Sequence, residues 1–584
     1  MKRCLALAAV LALAIAALLF SERRRVEAEV SPAPILYFVA DTERELTRIP
    51  VSLTKVSQRQ EVMIGNEMAR RYLENVQAEN TPEYREISAY VSEVGTRVAA
   101  QAQRRLPYKF HYIPQEYFVN AFALPGGHVF IGKGLLEMMD TEDELANILG
   151  HEIEHADLGH CIERVQIEEH IHNLPLGGAV QLPIEIFEAG YSKEQELEAD
   201  REGARLAEAA GYSAEGAISM FRKMQKLQEE VEQYRARGSQ RRTVLTLPFE
   251  LGNVLVLQTL EGYFRSHPPE QERIAQIERL ISDQHWSTDQ KQKVLAVAYL
   301  LITDKAMNYW DSDQLDKALA AAKKALAAKP DYPPALLLVG DVDYEKADFA
   351  GAAEMYGKAL RLDPTQDQVI VLYAGSLSAS LPAKDALAPF SEMAEAVPSL
   401  RERGWYLEEE AGLKLMSGDT ARAKTFAQEL QSSEAQAAPM MMGRLGWWYY
   451  RVGDLTTAAD LIGQAVEQRP QVAWLGAKLG WVLIAQRKYE SAQRRFNDMA
   501  RQGDMHTRAE IDMGLAVGAW DQGQPDVAVD NFRWGTNLRA AWLNPQWVTA
   551  IYGPQVAAVT QAIHNESDRR KKAEKARQLE GSGN

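Results

Sequence analysis

The chain has almost no cysteine: two in 584 residues, Cys4 and Cys161. Cys4 borders an apolar N-terminal run that reads as an export signal, so a mature chain keeps Cys161 alone and an internal disulfide is excluded. Long hydrophobic runs are equally scarce. Leu5 to Phe20 is the single stretch that approaches a membrane span, and a mean hydropathy of -0.32 excludes a multi-pass membrane protein. Basic charge is in deficit: 65 Lys and Arg against 81 Asp and Glu leave a net charge of -16, which repels phosphate backbones and argues against a nucleic-acid partner. Nothing resembles a phosphate cradle or a sugar-cleaving carboxylate pair.

What is present is an ordinary globular composition, 46% apolar and 25% charged, long enough for about three or four domain-sized units. Lys2 and Arg3 before the apolar run form the head of an export signal, and Val26-Glu27-Ala28 offers small residues for cleavage. Arg23, Arg24 and Arg25 resist translocation, so residues 1–28 are expected to act as a cleaved signal or as an N-terminal anchor, the only membrane contact anticipated.

The second half repeats. Gly412, Gly446, Gly480 and Gly514 are each 34 residues apart, and the same interval links Ala318 to Ala352, Ala325 to Ala359, Pro330 to Pro364 and Ala458 to Ala492. Within a unit, small residues let two antiparallel helices approach and a proline ends the second. This resembles the tetratricopeptide repeat, with six to eight units expected between Leu300 and about Trp542. Such a solenoid offers a concave groove to a partner. The polar tail at 565–584 is expected to fray.

Chemistry concentrates in the first half, where seven of the eleven histidines fall between His111 and His172. Thr141 and Glu144 read as a capping box, and the helix they start carries His151-Glu152-Ile153-Glu154-His155. In the pattern H-E-x-x-H the two imidazoles share one face and suit one tetrahedral Zn²⁺, with Glu152 placed to take a proton from water. A third ligand is expected from Glu196, and Asp200, four residues on, can accept a hydrogen bond from a ligating imidazole and hold its tautomer. Glu194 and Glu198 share the spacing without such an Asp, while His160 points off the ligand face. His128-Val129-Phe130-Ile131 reads as a short strand, expected at a sheet edge where an unfolded substrate would add as a further strand.

The blocks Asn120 to Gly127, His151 to His155, Tyr191-Ser192-Lys193 before Glu196 to Asp200, and Ser266-His267-Pro268 resemble the BepA/Oma-type branch of the CAAX-prenyl-protease-related zinc metallopeptidases. Lys193 stands where the family usually has Arg, and Ser266 where Thr is common. The resemblance implies a mainly α protein with a small sheet, an α+β zincin-type peptidase domain over 29–285 and a repeat solenoid over 290–560. It implies one zinc per chain, a periplasmic location, and His267 either as oxyanion donor or as a latch capping the metal. The function it implies is an endopeptidase for unfolded or misassembled envelope proteins, or alternatively a chaperone or scaffold with a mostly latent site. The implied partner is an outer-membrane β-barrel assembly factor.

Overall fold

A computed structural model describes residues 56–76, 80–115, 118–171, 187, 191–236, 270–288, 293–500 and 502–581. The N-terminal run, His172 and His267 lie outside the described residues. The chain divides into two units, Met1–Ala298 and Tyr299–Asn584.

The first unit opens with α1 (Gln58–Asn75) and α2 (Pro82–Ala99), capped by Ser57 and Thr81. Three strands follow, β1 (Lys109–Ile113), β2 (Ala121–Leu124) and β3 (His128–Gly132). Pro125-Gly126-Gly127 turns β2 back into β3, and both glycines have positive φ, 78° and 92°, where a side chain would be strained. Helices α3 (Glu142–Asp157), α4 (His160–Ile171), α5 (Lys193–Ala209), α6 (Glu215–Ala236) and α7 (Glu270–Gln284) complete the unit.

The sheet order is β1-β3-β2, with β1 parallel and β2 antiparallel to β3. This corrects the expected position of His128, Val129, Phe130 and Ile131. They form the central strand, hydrogen-bonded on both sides and fully buried, so they have no free edge for a substrate. The tight glycine turn pairs β3 with β2 on one side, and β1 joins on the other. Among the described residues, β2 pairs with β3 alone, and Cys161 at the start of α4 donates its thiol to Ala123 O at 3.6 Å.

Every residue of α3 is buried. The capping box expected at its start is present: Glu144 N–H donates to Thr141 Oγ1 at 3.2 Å, and Thr141 N–H to Glu144 Oε2 at 3.1 Å. Leu145, Leu149, Ile153 and Ala156 are completely buried in the core of this unit.

Among the described residues the second unit runs as seven successive helix pairs: α8 (Ala298–Asp311) with α9 (Leu315–Ala328), α10 (Pro333–Glu345) with α11 (Phe349–Leu362), α12 (Asp367–Ser380) with α13 (Ala383–Ala396), α14 (Gly404–Met416) with α15 (Thr420–Gln431), α16 (Ala438–Arg451) with α17 (Leu455–Gln468), α18 (Ala473–Ala485) with α19 (Tyr489–Met499), and α20 (Met505–Asp521) with α21 (Pro525–Leu538). The 34-residue glycines have a packing reason. A Cβ on Gly412 would lie 2.3 Å from the Trp448 ring, and one on Gly480 would lie 2.4 Å from Phe496.

Two more helices, α22 (Pro545–Tyr552) and α23 (Pro554–Gly581), follow the pairs. Helix α22 lies against the first helices of two pairs, α16 and α18: Tyr450 Oη donates to Tyr552 O at 3.3 Å, Arg451 Nη2 to Ala550 O at 3.3 Å, and the Lys478 ammonium stands 5.1 Å from the Tyr552 ring. Arg539 clasps Glu345 across 194 residues of sequence, with Nε donating to Oε2 at 2.9 Å. Trp542, Trp547 and Tyr552 of this segment are all buried, and the Trp542 and Tyr552 rings meet Trp481 of α18. The tail also departs from expectation. It is helical as far as Gly581, and Arg533 Nε donates to the buried Ser567 Oγ at 3.1 Å, which gives α23 a packed face.

Candidate metal centre

Helix α5 begins, like α3, at a capping box. Gln195 N–H donates to Ser192 Oγ at 3.3 Å and Ser192 N–H to Gln195 Oε1 at 3.1 Å. Glu196 thus falls in the first turn and Asp200 one turn later on the same face. Two glycines then let the helices meet. A Cβ on Gly203 would lie 2.6 Å from His151 N, and one on Gly150 would lie 2.6 Å from Gly203 O, so α3 and α5 cross with their backbones in contact.

That crossing brings the donor atoms together. His151 Nε2 lies 3.1 Å from His155 Nε2 and 3.5 Å from Glu196 Oε2, and His155 Nε2 lies 3.8 Å from Glu196 Oε1. Ligand atoms about 2.1 Å from a tetrahedral ion sit about 3.4 Å apart, so this spacing fits one cation. The three residues are buried, and two imidazoles with one carboxylate are a donor set suited to zinc. Glu194 is exposed and Glu198 faces His160, so neither joins the cluster.

Each group's environment has a cause. Asp200 Oδ1 lies 2.8 Å from His151 Nδ1, while Arg273 of α7 donates to Asp200 from Nε at 2.7 Å and from Nη2 at 2.6 Å. Burial opposes ionisation of Asp200, but Arg273 and His151 outweigh it and hold its carboxyl down at about 2. Burial likewise opposes charge on His151, yet Asp200 and Glu196 lift it to about 10; a cation at Nε2 displaces that proton. Glu152, 5% exposed, is pushed up to about 7 by burial, with the nearby His151 pulling the other way. Tyr191 N–H donates to Glu196 Oε1 at 3.0 Å, and its ring stacks on His155 with centroids 4.0 Å apart.

The structure brings His151, Glu152, His155, Glu196 and Asp200 together. It places His128 elsewhere, 2.9 Å from His111, where burial lowers both imidazoles to about 4. Sequence reasoning missed Arg273 and the glycine pair, and it singled out Tyr191 as part of a motif block without its contacts to Glu196 and His155. Gly150 and Gly203 could have been found, since each adjoins a candidate ligand helix face. Arg273 could not, because its partner lies 73 residues away and only the folded chain shows it buried.

The model for peptidase family M48 matches residues 86–188 and 173–281, and a tetratricopeptide repeat model matches residues 303–367. The region similar to M48 peptidases is thus followed by one similar to tetratricopeptide repeats. The beta-barrel assembly-enhancing protease of Yersinia pestis is 25% identical over 159 residues, 24% of this chain and 32% of that protein. A Vibrio cholerae counterpart is 26% identical over 307 residues, 47% of this chain and 61% of that protein. The mitochondrial metalloendopeptidase OMA1 of Schizosaccharomyces pombe is 30% identical over 154 residues, 24% of this chain and 45% of that protein. The chain thus spans less than two thirds of these relatives. Among the described residues, no helix is long and apolar enough to cross a membrane.

Proposed function

We propose that this chain is an exported zinc endopeptidase acting on unfolded or misassembled envelope proteins in the periplasm. The observation that carries it is the buried convergence of His151, His155 and Glu196 beside Glu152. His151 and His155 would hold the ion through Nε2 and Glu196 through its carboxylate. Bound zinc would supply Lewis acidity toward a peptide carbonyl and water. Glu152, lifted into the neutral range by burial, accepts the proton of the attacking water and returns it to the departing amine. Asp200 keeps the proton of His151 on Nδ1, and Arg273 keeps Asp200 ionised.

Within the described sheet the outer strands are β1 and β2; β2 is linked to the metal centre through Ala123, Cys161 and Tyr191 beside His155, but it is buried throughout and its Ala123 O already accepts from the Cys161 thiol. The likeness to beta-barrel assembly-enhancing proteases supports an outer-membrane β-barrel assembly factor as partner of the repeat region. His267 enters by resemblance as a restraint on the metal. His267→Ala should then raise cleavage of an unfolded protein, whereas a loss on the order of a hundredfold to a thousandfold would make it an oxyanion donor.

The deciding test is Glu152→Gln on purified full-length protein. Zinc should stay at one per chain while cleavage of an unfolded protein falls on the order of a hundredfold or more. Unchanged cleavage sinks the assignment of Glu152. Wild-type protein that holds zinc but cleaves nothing favours the scaffold reading.

A further inference from the structure

His155 presents its two ring nitrogens to different surroundings. Nε2 faces His151 Nε2 at 3.1 Å and Glu196 Oε1 at 3.8 Å, whereas Nδ1 lies 3.1 Å from Nδ1 of His160. His160 in turn sets its Nε2 3.7 Å from Glu198 Oε2. We propose that His160 is the positioning residue for His155: it accepts the Nδ1 proton of His155 and so holds the bare Nε2 toward Glu196 and His151. This rests on the metal-site reading above.

The argument is one of tautomers. A neutral imidazole carries one ring proton, and the nitrogen that binds a cation must be the other one. For His151 the proton on Nδ1 meets Asp200. For His155 the facing atom is His160 Nδ1, which can accept only when its own proton sits on Nε2. Glu198, beside that Nε2, favours the required tautomer. The result is a directed chain, His155 Nδ1–H to His160 and His160 Nε2–H toward Glu198.

Local backbone geometry explains why His160 is there. Had α3 continued, residue 160 would lie about 140° around the helix from His155, out of reach. Instead α3 ends at Asp157, and Gly159 takes φ of 85°, a left-handed turn that starts α4 at His160. The His160 and His155 rings then meet at 62° with centroids 5.2 Å apart, while Tyr191 stacks on His155 at 19°. His160 is 5% exposed, so the bond is shielded from competing water.

The test is zinc affinity, measured on the full chain by competition with a chromophoric chelator. His160→Phe keeps a ring but no acceptor and should weaken zinc binding about tenfold to a hundredfold. His160→Asn, whose amide oxygen falls near the position of Nδ1, should restore affinity to within a few-fold, and His160→Gln should not. Wild-type affinity in His160→Phe overturns the proposal. So does an Asn variant as weak as a folded Phe variant, since only shape would then matter. If the Phe variant fails to fold, the contrast between Asn and Gln decides. Wild type that binds zinc tightly without cleaving protein removes the peptidase reading and leaves this one intact; wild type that binds no zinc removes both.

Discussion

Arg273 and Asp200 form a fully enclosed ion pair: the guanidinium donates twice to one carboxylate, at 2.7 and 2.6 Å, and both residues are at most 4% exposed. The Arg273 guanidinium also lies 4.1 Å from the Phe221 ring, so α5, α6 and α7 are tied together at the back of the metal centre. Removing one partner of such a pair strands the other charge in the interior. Arg273→Leu is expected to cost about 3 to 5 kcal/mol in urea denaturation and to weaken zinc binding, because Asp200 must then take up a proton and release His151. Zinc content and denaturation midpoint check it together.

The crossing of α3 and α5 gives a steric prediction. Gly203→Ala places a methyl group 2.6 Å from His151 N and should cost about 1 to 3 kcal/mol, with reduced zinc affinity as the helices part. Gly463→Ala in α17 meets nothing within 4 Å and should gain about 0.5 to 1 kcal/mol through helix propensity. Equal effects at the two sites would contradict the contact reading.

In the repeat region, the clasp between Arg539 and Glu345 anchors the segment leading into α22. Arg539→Glu opposes two carboxylates and should cost about 3 to 5 kcal/mol, with faster amide exchange through residues 540–552. The double exchange Glu345→Arg with Arg539→Glu should recover most of the loss. An unchanged exchange rate in the single variant would show that α22 is held by its aromatic residues alone.

Asp341 supplies a pH dependence outside the metal centre. Burial, aided by Glu345 and opposed by the Tyr356 hydroxyl that donates to it at 2.6 Å, raises its carboxyl from 3.8 to about 6. The folded pKa exceeds the unfolded one, so its stabilising contribution is full below pH 3.8 and is lost as pH rises through about 6. The loss amounts to about 2 to 3 kcal/mol. Asp341→Asn keeps the acceptor for Tyr356 and should be more stable than wild type by that amount at pH 7, yet equal to it near pH 4. Urea titrations at the two pH values check this.

The chain alone carries every feature that depends on short separations. Helix starts at Thr141 and Ser192 follow from hydroxyl and carboxamide or carboxylate groups three residues apart, and the phase of His151, His155, Glu196 and Asp200 follows from helical pitch. The repeat was legible for a similar reason: one helix pair recurs, and its glycines recur with it. The sheet order was not, because a five-residue apolar strand such as 128–132 has the same pattern in the centre as at an edge, and only pairing with β1 as well as β2 separates the two. Tertiary packing alone decided that Arg273 reaches Asp200, that His160 faces His155 across the Gly159 turn, and that α22 lies against the repeat helices. Those contacts join groups whose local sequence says nothing of each other, and burial is what gives them their strength, since a guanidinium, an imidazole and a carboxylate hold one geometry only where water cannot replace their partners.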